Sequence, residues 1–299
     1  MKKLFKILVL SLLVIVSAFS LFACVDGDVS DEPGIYCKKF TGEDFYTLYK
    51  YVDDGETTVL DLGAKFSEKY PNAELRRIST NAFENNQTLT EVKVPNTVTE
   101  IQAGAFSGMK SLESITLPFV GNLVKADAYM YQTAEDTDKA VDAQRSFLSI
   151  FGEKEYTNGA KITANYGAGT KDYYVPVTLN SVTIAPKESG YEIPMYAFAG
   201  VTQINNVTLT QNVTGIGEYA FNKADSIVNI TIPNSVTKIY KCAFMECANL
   251  VTVTLAENNA GITLGDKAFY NCQALQTFNA NGNAITLGVE TFAKCDNLA

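Results

Sequence analysis

The sequence of 299 residues contains no histidine and no tryptophan. Without histidine, the chain cannot form a Ser-His-Asp or Cys-His nucleophile, a histidine-ligated zinc site or a histidine general base. Basic residues are also outnumbered, with 24 lysines and arginines against 33 aspartates and glutamates and a formal net charge of −9. Such an acidic chain lacks the basic surface that nucleic-acid binding requires. The composition therefore predicts neither histidine-based catalysis nor a nucleic-acid partner.

The amino terminus has the pattern of an export signal. Lysines at positions 2, 3 and 6 precede an apolar run over residues 7–22, which is the order of a signal peptide. The end of this segment, Leu21-Phe22-Ala23-Cys24, resembles the lipobox of bacterial lipoproteins, which implies cleavage before Cys24 and acylation of that cysteine. We therefore expect a lipoprotein signal peptide at 1–23 and a lipid anchor, without a spanning segment, on the outer face of a bacterial membrane at the cell surface. The alternatives are an ordinary cleaved signal and an uncleaved membrane anchor.

Most of the remaining chain repeats itself with a period of about 23 residues. The clearest marker is a phenylalanine preceded by a small residue, at Phe83, Phe106, Phe198, Phe221, Phe244, Phe269 and Phe292. Aliphatic residues recur in the same phase, five residues before the phenylalanine and six, nine and eleven residues after it. One such unit cannot offset its own ordering entropy, but stacked units share continuous apolar columns. The repeat therefore predicts a solenoid with one elongated core.

Each repeat unit contains the signals of two short strands and a turn. The stretch "LVTVTL" alternates like a strand, "SVTKI" offers a second extended segment, and "KCAFMEC" between them is a compact turn or a single helical turn. Prolines at positions 95, 118, 186 and 233 follow the first strand, where the missing amide favours a corner.

The unit "IPNSVTKIYKCAFMECANLVTVTL" resembles the BspA-like leucine-rich repeat of bacterial surface antigens, over roughly residues 71–299. The resemblance implies a right-handed leucine-rich-repeat solenoid, mainly parallel β with short helical turns. It also implies an exported or surface-displayed protein that takes part in adhesion or recognition, not an enzyme, with no cofactor. Residues 24–70, which include "TTVLDLG", are then expected to be a tether and an N-terminal cap.

One long insertion, at about 119–178, interrupts the repeats. Residues 126–151 have a helical composition, whereas "TNGAKITANYGAGTKDYY" is rich in glycine and tyrosine and is predicted to be a projecting loop. Insertions of this length are often functional, but in this family a segment of this kind can also be a structural variant of the repeat. Its acidic residues leave a hydrolase as the weakest hypothesis, since nothing in the sequence makes them converge.

The side chains that alternate with the buried strand residues predict one polar face. Its candidate binding residues are Thr116, Thr183, Asn206, Thr208, Asn229, Thr231, Thr252 and Thr254. We expect an extracellular protein or glycan as the partner of this face, although strand propensity alone also favours threonine there. The alternative functions are a structural module of the cell envelope and a targeting module of a larger protein. The last repeat lacks its strand after Ala299, which favours a truncated chain.

Three cysteines occupy one column of the repeat. Cys247, Cys272 and Cys295 each lie three residues after the repeat phenylalanine. Residues in one column of a stacked solenoid form a straight line, which cannot gather four ligands around a zinc ion. We therefore predict small buried free thiols here and no metal site. Cys37 and Cys242 belong to no cysteine column.

Overall fold

The computed structural model describes residues 32–123, 144–165, 169–257 and 261–299. These residues wind into a β-solenoid of about nine turns, with mainly parallel strands and little helix, which confirms the predicted fold class. The predicted signal peptide, Cys24 and most of the segment with helical composition lie outside the described residues.

The described residues form nineteen short strands, one α-helix and one 3₁₀ helix. In chain order the elements are β1 (Gly34–Lys38), β2 (Tyr46–Val52), β3 (Val59–Asp61), α1 (Leu62–Lys69), β4 (Leu75–Ile78), β5 (Glu91–Lys93), β6 (Glu100–Ile101), β7 (Ser114–Leu117), a 3₁₀ helix (Phe147–Ile150), β8 (Gly159–Asn165), β9 (Thr170–Pro176), β10 (Ser181–Ile184), β11 (Tyr191–Ile193), β12 (Asn206–Leu209), β13 (Val213–Ile216), β14 (Asn229–Ile232), β15 (Lys238–Ile239), β16 (Thr252–Leu255), β17 (Ile262–Leu264), β18 (Thr277–Asn279) and β19 (Ile285–Leu287).

Two ladders of strands run along the solenoid. The first-strand ladder consists of the parallel sheets β3-β5-β7-β10-β12 and β14-β16-β18. The second-strand ladder consists of β2-β4-β6 and β11-β13-β15-β17-β19, also parallel. Paired residues hold the same position in successive repeats, as Val182 does between Ile115 and Val207. The sequence period therefore fixes the strand register.

The repeat phenylalanines stack in a continuous column inside the solenoid. Ring centroids are 4.9 Å apart for Phe83 and Phe106, 5.0 Å for Phe198 and Phe221, 4.9 Å for Phe221 and Phe244, and 5.1 Å for Phe244 and Phe269. These spacings match the distance of about 4.8 Å between neighbouring strands. Each buried ring contributes roughly 1.5 to 3 kcal/mol through burial. The aromatic column and the strand ladders therefore stabilise the same stacking distance.

The turn around each phenylalanine is a pair of tight turns and not a helical turn. In the turn around Phe244, Cys242 has a φ of 55° and Glu246 a φ of 60°, both left-handed. The amides of Ala243 and Met245 close turns onto residues three positions back, whereas those of Cys242, Phe244 and Glu246 donate to the next turn of the solenoid. This alternation cannot continue as a helix, because every second amide is used between turns.

The N-terminal end has a different architecture. β1 lies antiparallel to β2 at the end of its sheet, and "TTVLDLG" contains a further strand, β3. Helix α1 follows β3 at once and is capped by Asp61, whose side chain accepts a hydrogen bond of 2.9 Å from the amide of Ala64. Leu62 and Phe66 of this helix are buried in the core. The assignment of this region as a cap remains a prediction.

Part of the insertion completes a turn of the solenoid. The amide of Phe106 donates to the carbonyl of Ile150 at 2.9 Å, and the amide of Phe147 donates to Ala197 at 2.8 Å. Phe151 and Phe147 also bridge the aromatic column, with centroid distances of 6.2 Å from Phe106 to Phe151 and 5.1 Å from Phe147 to Phe198. These contacts favour the interpretation of this part as a structural variant of the repeat.

The prediction of a projecting loop in "TNGAKITANYGAGTKDYY" is wrong. β8 and β9 pair antiparallel over their whole length as a hairpin. Ile162, Ala164, Tyr173 and Val175 are buried, while most of the residues between them are at least partly exposed. This alternation shows that one face of the hairpin packs against the solenoid. The alternation was not recognised in the sequence because the segment is rich in glycine and tyrosine.

Two glycines at the same repeat position differ in how closely the neighbouring backbone approaches them. Gly108 and Gly200 hold the same position in their repeats, with φ of 73° and 72°. A Cβ on Gly108 would lie 3.1 Å from the backbone nitrogen of Asn85, whereas the nearest atom to a Cβ on Gly200 is 3.7 Å away.

We expect Gly200→Ala to lose about 1 to 2 kcal/mol of unfolding free energy and Gly108→Ala roughly 1 to 3 kcal/mol more. Urea unfolding measures both, and equal losses would contradict the close approach at Gly108.

Candidate functional site on the first-strand ladder

The structure places the candidate residues in two straight columns. Thr183 lies between Thr116 and Thr208, and Thr231 lies opposite Thr254. The second column joins Asn206 to Ser181, and Asn229 to Thr252. The polar face is formed by both columns, namely Ser114, Thr116, Ser181, Thr183, Asn206, Thr208, Asn229, Thr231, Thr252, Thr254, Thr277 and Asn279.

Among the candidate residues, those on β12 and β14 are the most accessible. Both strands alternate exposed and buried residues, and all four candidates on them are exposed. The other four candidates, on neighbouring strands, are only partly exposed, namely Thr116, Thr183, Thr252 and Thr254. Among the candidates, a ligand therefore has its best access to Asn206, Thr208, Asn229 and Thr231. Thr277 and Asn279 of the polar face, on β18, are exposed as well.

The first-strand ladder is interrupted between β12 and β14. One position before each strand, the amide donates to the same position of the preceding turn: Glu113 to Thr90, Asn180 to Glu113, Asn205 to Asn180, Val251 to Val228 and Gln276 to Val251. The corresponding bond from Val228 to Asn205 is missing, and no backbone hydrogen bond among the described residues joins β12 to β14. We call this gap the seam.

The seam is confined to one face of the solenoid. On the turn face, the amides of Phe198 and Gly200 still donate to the next turn at 2.6 and 2.8 Å. On the strand face, Val207 and Leu209 are 8% and 6% exposed, whereas Val182 and Ile184 one turn earlier are fully buried. The two turns therefore remain stacked but separate slightly along this strand.

Proline contributes to the seam. The amides of Thr210 and Ala256, one residue past their strands, donate to Ile184 and Ile232 of the preceding turns. Pro233 holds this position after β14 and has no amide to donate to Leu209. Proline alone does not open the ladder, because Pro118 follows β7, which still pairs with β5.

A shallow cleft of about 360 Å³ lies along the seam. Its lining consists of Asn205, Asn206, Asp225, Ser226, Val228, Asn229 and Asn249. Of these residues, only Asn206 and Asn229 are among the candidates predicted from the sequence. The signal in the sequence is that asparagine replaces serine or threonine at the repeat position of Asn206 and Asn229, in two successive repeats.

Hydrogen bonds between turns fix part of the cleft lining. Asp225 accepts a hydrogen bond of 2.9 Å from the amide of Ala248 through Oδ1, and its carbonyl accepts one of 2.9 Å from the side-chain amide of Asn249. The hydroxyl of Ser226 donates to the carbonyl of Ile204 at 2.8 Å, across the turns that border the seam. One wall of the cleft is therefore preorganised.

A second cleft, of about 460 Å³, opens where the second-strand ladder passes from β6 to β11 without an intervening strand. Arg76 on its wall pairs with Glu74 at 2.6 Å, and the amide of Val120 donates to the hydroxyl of Tyr191 at 2.7 Å. Lys187 and Glu188 add one charge of each sign. This mixed lining singles out no ligand class.

The cysteine column belongs to the core. The thiols of Cys247, Cys272 and Cys295 donate at 3.0 Å to the carbonyls of Phe221, Phe244 and Phe269, each one turn back. All five cysteines of the described residues are free and buried. Burial raises the pKa of Cys37 to about 12, so this thiol is a poor nucleophile.

Cys242 holds a position that is occupied by tyrosine in the two preceding repeats. Tyr196 and Tyr219 stack there with ring centroids 5.1 Å apart. Burial is the largest cause of the raised pKa of the Cys242 thiol. In the part of the chain that the structure describes, no group of three or more cysteine, aspartate or glutamate side chains could hold a metal ion.

The repeat columns and their stacking identify the protein class. Six copies of the BspA type leucine-rich repeat region match residues 66–147 and 170–299. The chain therefore belongs to the BspA-type leucine-rich-repeat family. No curated protein sequence matches this chain. None of the described helices is both long enough and apolar enough to cross a membrane.

Solved bacterial leucine-rich-repeat proteins are similar over most of their length. A leucine-rich-repeat protein of T. pallidum is 18% identical, with 89% of this chain and 88% of that chain covered and a TM-score of 0.42. A leucine-rich cell surface protein of Faecalibacterium prausnitzii is 20% identical, with 90% and 82% covered and a TM-score of 0.29. The pneumococcal vaccine antigen PcpA is 16% identical, with 91% and 87% covered and a TM-score of 0.31. The family assignment rests on the repeats and not on these likenesses.

Proposed function

We propose that this chain is an exported, lipid-anchored cell-surface protein that recognises an extracellular protein or glycan without catalysing a reaction. The observation that carries the proposal is the polar face, where the register of the parallel strands lines up hydroxyl and amide side chains over several turns. Solenoids of this family are in general recognition or scaffold folds and not enzyme folds.

The composition of the polar face supports recognition by hydrogen bonding. Hydroxyl groups and side-chain amides each both donate and accept hydrogen bonds. Glu91 and Lys93 continue the two columns on β5, so charge enters only near the N-terminal end of the face. Binding on the rest of the face is therefore expected to depend weakly on salt.

Three substitutions on the polar face test the proposal. Thr208→Lys, Thr231→Lys and Thr254→Lys together place long charged side chains over β12, β14 and β16. We expect the triple variant to lose binding to extracellular-matrix proteins or glycans that the parent chain retains, because the lysines block the face and remove hydroxyl partners. Immobilised panels of both classes, read by surface plasmon resonance, measure the loss.

A matched triple variant controls for charge and stability. Thr237→Lys, Thr263→Lys and Thr286→Lys add the same three charges at exposed positions on or beside the second-strand ladder. This variant should bind like the parent chain, and both variants should unfold at nearly the same temperature. Equal binding by the two variants would show that the polar face is not the recognition surface.

The lipid anchor is tested at the proposed acylation site. Cys24→Ser removes the thiol that would carry the lipid. Expressed in bacteria, the parent chain should partition into the detergent phase of Triton X-114, because each buried CH₂ of an acyl chain contributes about 0.8 kcal/mol. The variant should not be acylated and should migrate on gels as a larger precursor that retains its signal peptide. An unchanged mass in the variant would rule out acylation at Cys24.

A further inference from the structure

We propose that the cleft along the seam binds a neutral glycan and is the specific subsite of the polar face. This inference rests on the proposed recognition function and narrows it to one place and one ligand class. Three features carry it, namely the open backbone ladder, the side chains around it and their lack of positive charge.

The seam leaves backbone groups available for a ligand. The amide of Thr252 donates to Val228, and because residues of a parallel strand bond alternately to either side, the amides of Asn229 and Thr231 point toward β12. No strand pairing satisfies them there. Backbone donors that lack a protein partner are bound by water or by a ligand. Because Asn229 also lines the cleft, its amide is a main-chain donor without a strand partner beside the cleft side chains.

The side chains of the cleft suit hydroxyl groups. Among the described residues, no intramolecular hydrogen bond uses the side-chain amides of Asn205, Asn206 or Asn229. Each such amide offers two donors and an acceptor, which match a hydroxyl group that both donates and accepts. The exposed side chain of Val228, 44% accessible, provides an apolar contact for the C–H groups of a sugar ring. The cleft volume of about 360 Å³ is within the usual range for small-ligand sites.

The charge of the cleft favours neutral over acidic glycans. Its lining includes one carboxylate, Asp225, and no lysine or arginine. The chain has a formal net charge of −9, and removal of residues 1–23 would make it −12 because three lysines are lost. Uronic-acid and sulfated sugars would therefore meet repulsion without a compensating cation.

The geometry disfavours a protein ligand in the seam. An added peptide strand needs about 4.8 Å on each side, but the stacked rings of Phe198 and Phe221, 5.0 Å apart, hold the two turns one strand spacing apart. Protein interfaces also concentrate their binding energy in tryptophan, tyrosine and arginine, none of which lines the cleft. A glycan that lies on the seam needs neither the space of an added strand nor these side chains.

The test uses titration calorimetry of the chain from Cys24 onward, with Cys24 replaced by serine for solubility. The probes are neutral oligosaccharides of glucose, galactose, mannose and N-acetylglucosamine, and acidic oligosaccharides of galacturonic acid. The parent chain should bind at least one neutral probe and no acidic one. Asn206→Ala with Asn229→Ala should weaken that binding about a hundredfold, or tenfold for each amide lost. Thr263→Ala with Thr286→Ala, also exposed and adjacent, should leave it unchanged.

Each outcome separates the subsite from the wider function. Loss of neutral-glycan binding in the asparagine variant alone supports the subsite. Glycan binding that survives in this variant, or binding of acidic probes only, overturns it. If the lysine variant of the polar face loses a protein partner while no neutral probe binds the parent chain, the recognition function stands and the glycan subsite is wrong. Thermal unfolding must show that the asparagine variant is folded like its control.

Discussion

The stacking of one turn of about 23 residues on the next is the constraint on which the whole structure depends. No turn contains enough apolar surface to fold by itself, so its stability comes from its neighbours. The phenylalanine column, with ring centroids 4.9 to 5.1 Å apart between Phe198 and Phe269, and the backbone ladders stabilise the same spacing. The polar face consists of columns that repeat this spacing.

The tight turns show how strongly the stacking dominates local preference. Tyr219, Cys242 and Lys267 adopt left-handed φ angles of 53° to 55°, which cost roughly 1 to 2 kcal/mol for each residue with a Cβ. The conformation is retained because it directs every second amide to the next turn, as from Cys242 to Asp266. The same requirement explains the insertion, where Phe147 and Phe151 keep the aromatic column continuous although the repeat sequence is lost.

The sequence period was sufficient to predict the fold and the registers, because one phase assigns each residue to a column. Phe244 and Leu250 were predicted in the core and Thr252 and Thr254 on the polar face, and the structure has them there. The hairpin of β8 and β9 was missed because its apolar alternation occurs outside the repeat phase. The seam could not be predicted, because Val207 and Ile230 keep their columns and only a small separation of the strands breaks the hydrogen bonds.

Amide hydrogen exchange at three equivalent residues tests most directly the claim that the ladder opens where the ligand binds. Asn206, Asn229 and Thr252 hold the same repeat position, and the amides of Asn206 and Thr252 donate to Asn180 and Val228. We predict that the amide of Asn229 exchanges faster than the other two in the free protein, and that its exchange slows when a neutral glycan binds. Equal protection of all three amides in the free protein would contradict it.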